Sequence, residues 1–241
     1  MKDGFIGRNA NFSPTKIPSL LLLIFSLVIL TFPSNLAKHL TLPESYILGL
    51  LIDYLSPALY LTEILVVLLL ILSWRRFGRL TGPPRTLFFL SFLFWLSLLP
   101  SLWSGDFPLI SLWRWGELGL WLGFGVWVAR FVSWKKYVRI VPLLGIGVGW
   151  VSILAIIQFV VQRSVLGYWF FGEPALSPSL GGVALGSWGG EEIMRAYGTF
   201  PHPNVLGGVL SVLLVWLAAK RLWIAFGAGL GALIVSLSKT A

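Results

Sequence analysis

The feature that most constrains the fold is a series of apolar runs, several of which approach the ~20 residues that cross a bilayer as a helix. Short polar or basic turns separate these runs. Charged residues make up 11% of the chain, whereas soluble domains carry about 25%. The sequence therefore predicts an all-α polytopic membrane protein, with residues 1–241 forming one transmembrane domain.

The apolar runs predict seven membrane spans. The segment 36–56 contains Asp53 and is followed by Pro57, so its apolar part is too short to span. We expect it to lie at the membrane interface or to re-enter the membrane. The spans are predicted at 17–32, 58–74, 87–103, 109–131, 140–161, 204–219 and 222–237.

The distribution of basic residues predicts the orientation of these spans. With the N-terminus in the cytoplasm, inner loops carry 13 of the 18 Lys and Arg residues and one of the nine acids. This asymmetry follows the tendency of cytoplasmic loops to be basic. The longest loop, 162–203, is then external, and the net charge of +9 reports orientation and not nucleic-acid binding. Within the fourth predicted span, Arg114 and Glu117 are three residues apart and are expected to pair.

A polar stretch at residues 195–204, called the motif segment here, ends the external loop and opens directly into the next span. Its sequence is Arg-Ala-Tyr-Gly-Thr-Phe-Pro-His-Pro-Asn. Arg195 lies at its start, and Lys239 falls at the outer end of the last predicted span. Arginine binds phosphate oxygens in a bidentate way and lysine acts as a point charge. Two cations at an outer membrane edge are therefore candidates for binding a diphosphate and for stabilising a leaving group.

Both cations also have a structural alternative. The Lys239 side chain is also typical of an interfacial lysine that extends to the lipid headgroups. Arg195 is also placed to pair with Glu191 or Glu192 and to order the loop.

The remaining polar residues near the outer face have similar alternatives. His202 is either a turn residue between two prolines or a general base. Asn204 is placed to be the N-cap of the sixth helix, and Gly198 is typical of a turn. Asp53 and Glu63 are functional candidates because acidic residues near a membrane span are often functional, although Asp53 is equally placed to cap a local bend at Ser56 and Pro57. The predicted scaffold of the motif segment consists of Gly198, Thr199, Pro203 and Asn204.

The motif segment resembles the signature of the O-antigen ligase and O-antigen polymerase superfamily. Members carry Arg-x-x-Gly-Thr-Phe, then Pro-Asn and a small-residue pair, where an external loop opens into a span; residues 195–208 match that pattern. In the family a short basic turn follows, as Lys220 and Arg221 do here. The next span of the family ends in Ser-Arg, where this chain has Ser238 and Lys239.

This resemblance implies a metal-independent glycosyltransferase of the C-type membrane fold, without a cofactor, in the bacterial inner membrane. Such an enzyme takes a glycan from undecaprenyl diphosphate on the outer side and transfers it to lipid A core or to a growing polysaccharide, as in lipopolysaccharide biosynthesis. The family's arginines bind the diphosphate, which implies this role for Arg195, with Lys239 assisting. Members have more spans and place the base in a later external loop. We therefore expect an N-terminal part that is inactive alone, with His202 as the alternative base.

A transporter or flippase for a lipid-linked or anionic solute is the alternative function. In that case the glycine-rich fifth and seventh spans would be the moving elements. Transporters usually have paired broken helices in two related halves, and no such repeat is visible in the sequence. A structural membrane subunit, the third possibility, does not account for the motif segment.

Overall fold

The chain is described by a computed structural model over residues 18–48, 50–52, 55–76, 83–104 and 106–238. Helices account for 63% of these residues, which confirms the predicted mostly helical class. The helices are α1 Ser19–Thr31, α2 Leu61–Ser73, α3 Pro83–Ser97, α4 Ser101–Ser104, α5 Pro108–Phe131, α6 Trp134–Val161, α7 Pro203–Ala219 and α8 Trp223–Val235.

Each of the seven predicted spans overlaps one of the longer helices. Two differ from the prediction by six residues at one end: α3 ends at Ser97 and not at residue 103, and α6 begins at Trp134 and not at residue 140, and continues through Pro142. The charge of the basic residues at 135, 136 and 139 predicts a loop there. A helix satisfies its own backbone groups whatever its side chains, so α6 extends beyond its apolar part.

In the part of the chain that the structure describes, three short antiparallel pairs of strands lie between the helices. The segment 36–56 contains no α-helix in its described residues; it forms strands and a one-turn 3-10 helix, Pro43–Ser45. The pairs are β1 Ala37–His39 with β4 Ala58–Tyr60, β2 Tyr46–Ile47 with β3 Leu50–Leu51, and β5 Leu185–Trp188 with β6 Glu191–Met194.

Within the described ranges, two stretches are helical, long and apolar enough to cross a membrane, judged by length and composition alone. They are Pro84–Ser104 and Pro142–Val161, and α1, α7 and α8 are shorter apolar helices. The Pro84–Ser104 stretch covers α3, a turn and α4, which accounts for its length.

Helix α6 is the central element because it contributes to the two larger hydrophobic cores of the described residues. One core contains Val148 and Ala155 of α6 together with Leu206 and Leu210 of α7 and Ala232 of α8. The other core joins α1, α2 and α5 to the first turns of α6, through residues that include Phe25, Leu69, Trp127 and Ile140. The long loop and the motif segment therefore lie against the helix that connects the two halves of the molecule.

Candidate functional site

Two glutamines, Gln158 of α6 and Gln162, which caps the C-terminus of that helix, hold the start of the motif segment. Gln162 Oε1 accepts from the Met194 N–H at 2.6 Å, and its Nε2 donates to the Met194 carbonyl at 3.2 Å. Gln158 Oε1 accepts from the N–H groups of Gly198 at 2.7 Å and Tyr197 at 3.3 Å, and its Nε2 donates to the Gly198 carbonyl at 2.8 Å. The two residues, called the glutamine pair here, are four positions apart at the C-terminal end of α6. They supply the hydrogen bonds that a neighbouring strand would otherwise provide.

A buried carboxylate links the same glutamine to the beginning of the loop. Gln158 Nε2 also donates to Glu173 Oε1 at 2.9 Å, and both side chains are 0% exposed. The Glu173 carboxylate accepts three backbone N–H groups, from Val165 at 2.7 Å and from Leu166 and Gly167 at 2.6 Å each. Charge-assisted hydrogen bonds of this kind are stronger than neutral ones. The carboxylate therefore fixes the loop and, through Gln158, the motif segment.

Gly198 and Thr199 attach the middle of the motif segment to two different elements. Gly198 has a φ of +62°, and a Cβ on it would lie 2.9 Å from Val151 Cγ2 and 3.3 Å from the Val151 carbonyl oxygen. Only glycine adopts this backbone region at no steric cost. The Thr199 hydroxyl, which is fully buried, donates to the Pro33 carbonyl just beyond α1. The motif segment is therefore held between α6 and the end of α1.

The Arg195 guanidinium lies between the ends of α8 and α7. Its Nε donates to the carbonyl of Ser236, which caps the C-terminus of α8, at 2.8 Å. One Nη donates to Asn204 Oδ1 in the first turn of α7 at 2.5 Å. A helix C-terminus carries partial negative charge, which favours the cation there. In the described part of the chain Arg195 makes no ion pair with Glu191 or Glu192, and both acids are exposed on the β5–β6 hairpin.

This arrangement leaves part of the guanidinium available to a ligand. Arginine has five N–H donors, and two of those of Arg195 are used within the described residues. The other three are free to bind an anion, and the side chain is half-buried. Arg195 is therefore held in a fixed orientation, and three of its N–H donors remain for a ligand.

The cap of α7 is His202, so the prediction that Asn204 is the N-cap is wrong. His202 Nδ1 accepts from the Asn204 N–H at 3.1 Å, and Pro203 is the first helical residue. Proline is pre-organised for the first helical position and holds the preceding residue in an extended conformation. The N-cap thus lies two residues earlier than predicted, and the Asn204 side chain accepts a hydrogen bond from Arg195 instead.

The hydrogen bond at the cap restricts the chemistry of His202. A neutral imidazole that accepts at Nδ1 carries its proton on Nε2. Burial lowers the pKa of His202, and the positive charge of Arg195 lowers it further. In this conformation His202 is therefore a neutral donor through Nε2, and it takes up a proton at Nδ1 only if the cap is broken.

Of the other predicted candidates, Lys239 and Asp53 lie outside the described residues. Glu63 is in the first turn of α2, where its Oε2 accepts from the Tyr60 N–H at 3.0 Å. It lines an apolar cavity of about 640 Å³ between α2 and α5, together with Glu117.

The Glu117 carboxylate is satisfied by residues of its own helix. It accepts from Trp113 Nε1 at 2.5 Å, and the predicted pair with Arg114 is confirmed at 2.8 Å. Among the described residues no three His, Asp or Glu side chains are grouped so as to hold a metal ion.

Sequence reasoning missed four contributors to the site: Gln158, Gln162, Glu173 and Ser236. Gln158 had a usable signal, since a polar side chain inside an apolar run is a functional candidate. Glu173 is the only acid between residues 118 and 190, which also sets it apart. Ser236 contributes only its backbone carbonyl, and no residue type indicates such a contact.

Comparisons with protein-family models, with curated proteins and with solved structures find no match. The interpretation of this site therefore depends on its geometry and on the sequence of the motif segment.

Proposed function

We propose that this chain is a multi-spanning protein of the bacterial inner membrane, with its N-terminus in the cytoplasm. The support is that, among the described residues, many large apolar side chains are exposed while several polar side chains are buried, which is the reverse of the arrangement in a soluble protein. Soluble monomers rarely expose large contiguous apolar patches, whereas α3 exposes large apolar side chains around much of its circumference. These are Leu87, Phe88, Phe89, Leu90, Phe92, Leu93 and Phe94.

The buried residues complement this pattern. Gln158, Glu173, Thr199 and Ser236 are 0% exposed, while Val212 and Val215 of α7 are 71% and 73% exposed. Lipid tails solvate apolar side chains, and polar groups in a membrane protein bind to one another in its interior. A bilayer around the helices therefore accounts for both observations.

We further propose that the chain forms the diphosphate-binding part of an O-antigen ligase-like or polymerase-like transferase. The observation that carries this proposal is the Arg195 guanidinium, fixed by Ser236 and Asn204 with three donors free. In the proposed topology it faces the outer side. A diphosphate offers several oxygens to a planar fork of donors, which is the geometry that arginine binds best.

The proposed reaction is a displacement at the sugar carbon attached to the diphosphate. A hydroxyl oxygen of the acceptor, either lipid A core or a growing glycan, forms the new bond to that carbon. The bond to the phosphate oxygen breaks, and undecaprenyl diphosphate leaves with the electron pair. Arg195 stabilises this developing charge, and the Nε2 proton of His202 is a second donor. The hydroxyl proton passes to a base that the family resemblance places in a later external loop.

The experiment compares Arg195→Ala with Arg163→Ala, which alters an exposed arginine of the same external loop. Binding of undecaprenyl diphosphate to the purified chain is measured first. We expect Arg195→Ala to weaken binding about tenfold or more, since hydrogen bonds to charged groups contribute about 1.5–3 kcal/mol each. Arg163→Ala is expected to leave binding unchanged.

Glycan transfer is then measured in membranes that carry the full-length transferase proposed here, with its later external loop, and the acceptor. Arg195→Ala is expected to abolish transfer while membrane insertion is retained. Undiminished binding and transfer in this variant would overturn the proposal, and a loss of solute movement without a loss of transfer would favour a transporter.

A further inference from the structure

We propose that the tip of the external loop, residues 165–170, inserts into the headgroup region of the outer leaflet and attaches the loop to the membrane. This inference rests on the proposed membrane location, but not on the proposed transfer reaction. The name "loop tip" is used below for these six residues.

The loop tip exposes an unusual number of large apolar side chains. Five of its six residues are exposed and apolar or aromatic, and Trp169 is 90% exposed. The sixth, Gly167, has a φ of +81°, which turns the chain between them. The exposed residues are Val165, Leu166, Tyr168, Trp169 and Phe170.

This exposure is imposed by the hydrogen bonds and packing beneath the loop tip. The buried Glu173 carboxylate holds three consecutive backbone N–H groups, at 165–167. The Tyr168 hydroxyl donates to the Ala37 carbonyl at 2.5 Å and accepts from the Ala37 N–H at 3.1 Å. The Phe170 ring meets Trp150 of α6 edge-on, 5.7 Å between ring centroids. Because the loop tip is preformed, little conformational entropy is lost when a partner covers it.

The partner that fits this surface is the lipid interface. The last turn of α6 exposes Val160 and Val161, so the apolar surface of a spanning helix continues into the loop tip. Tryptophan and tyrosine are enriched at membrane interfaces, where one part of the ring is apolar and another is hydrated.

The charges near the loop tip also favour lipid. Between residues 162 and 190 the only acid is Glu173, which is buried. Arg163 is exposed two residues before the loop tip, where a cation would meet lipid phosphates. No exposed carboxylate of this stretch would therefore repel an anionic leaflet.

The test uses single-cysteine variants, which need no prior substitution because the chain has no cysteine. Trp169→Cys carries a nitroxide spin label in the chain reconstituted into nanodiscs of phosphatidylcholine and phosphatidylglycerol. Collision rates are measured with oxygen, which concentrates in lipid, and with a neutral nickel complex, which stays in water. Glu191→Cys on the exposed β5–β6 hairpin is the aqueous control, and Ile153→Cys on the exposed side of α6 is the lipid control.

We expect the ratio of oxygen to nickel collisions at 169 to be several-fold higher than at 191 and to approach that at 153. A ratio at 169 equal to that at 191, with 153 in lipid, would overturn this inference and leave the membrane location standing. Low collision rates with both reagents at 169 would overturn it in favour of contact with a second copy of the chain. An aqueous ratio at 153 would instead overturn the membrane location.

Discussion

The motif segment and the α3–α5 contact are both held by hydrogen bonds from side chains to the backbone. The two sets of bonds differ in whether the backbone groups have another hydrogen-bond partner. Trp95 of α3 and Trp115 of α5, called the tryptophan pair here, are stacked with ring centroids 3.7 Å apart. Each donates Nε1–H to the other's carbonyl, at 2.8 and 2.9 Å. These carbonyls have another partner: the Trp95 carbonyl accepts from Leu98, and the Trp115 carbonyl lies inside α5.

The glutamine pair satisfies groups that lack such a partner. An amide side chain both donates and accepts, and Gln158 binds the N–H and the carbonyl of Gly198 together. Removing an indole N–H loses a supplementary bond, whereas removing the Gln158 amide leaves buried groups unsatisfied. The comparison teaches that the number of hydrogen bonds does not predict the cost of losing them.

The largest expected effect comes from Gln158→Leu. It leaves the N–H and the carbonyl of Gly198 unsatisfied in the interior and removes a donor from Glu173. An unsatisfied buried group costs about 1–3 kcal/mol, so we expect a loss of about 3 kcal/mol or more, measured as a lower unfolding midpoint in detergent. Ile157→Leu, at an exposed neighbouring position, is the control. A loss no larger than that of the control would remove the distinction between the two regions.

The next largest effect on stability is expected when Gly198, rather than Gly119, is replaced by alanine. Gly198→Ala places an alanine at a positive φ, which costs about 1–2 kcal/mol, and brings its Cβ against the Val151 carbonyl. Gly119→Ala brings a Cβ to 2.8 Å from the Trp95 ring, but a ring can move and alanine favours the helix by about 1 kcal/mol. Gly198→Ala is therefore expected to lower the unfolding midpoint more than Gly119→Ala. Equal shifts would contradict this expectation.

Removing one bond of the tryptophan pair is expected to have a smaller effect. Trp95→Phe keeps an aromatic ring and loses one hydrogen bond, for which we expect about 0.5–1.5 kcal/mol. Trp115→Phe is the matched variant, and the two losses should be similar because the contact is reciprocal. Diphosphate binding is expected to be unchanged in both, since neither residue is near Arg195. Reduced binding in either variant would show that the α3–α5 contact and the motif segment are coupled.

The smallest effect concerns the pH dependence of the α7 cap. Burial and Arg195 lower the pKa of His202, so the unfolded chain binds this proton more readily than the folded chain. The stabilisation by the neutral cap is therefore fully present above the ordinary pKa of about 6.5 and is lost as the pH falls through the lowered value. His202→Asn keeps a side-chain acceptor at the cap but does not titrate. We expect the unfolding midpoint of this variant to depend less on pH between about 5 and 8; an unchanged pH dependence would assign the effect to other groups.

The helices could be predicted because each apolar run overlaps one, and an apolar run is a strong local signal. The residues at which the helices begin and end were harder to predict. The prediction at α6 failed because basic side chains suggest a loop, although they do not interrupt a helix. The predicted N-cap of α7 was wrong by two residues because both His202 and Asn204 offer a suitable acceptor, and Pro203 at the first helical position favours His202.

The site was only partly predictable because its partners are distant in sequence. Arg195 could be selected as an unusual cation beside an apolar run. Its contact with a backbone carbonyl 41 residues away is fixed by the packing of α7 on α8, and no residue type reports it. The same is true of the buried partnership of Gln158 and Glu173, where each residue was visible alone but the pairing was not.

The bond between Thr199 and Pro33 joins residues 166 positions apart in sequence, and this has a consequence for biosynthesis. Pro33, at the end of α1, leaves the ribosome long before Thr199 is made. The hydrogen bond of Arg195 likewise cannot form until Ser236 has been made. A nascent chain that stops before residue 236 therefore has α1 to α7 but lacks the carbonyl that orients the arginine. Assembly of the site cannot be completed before α8 has been made, and it requires the closing of loops that are slow to form because they are long.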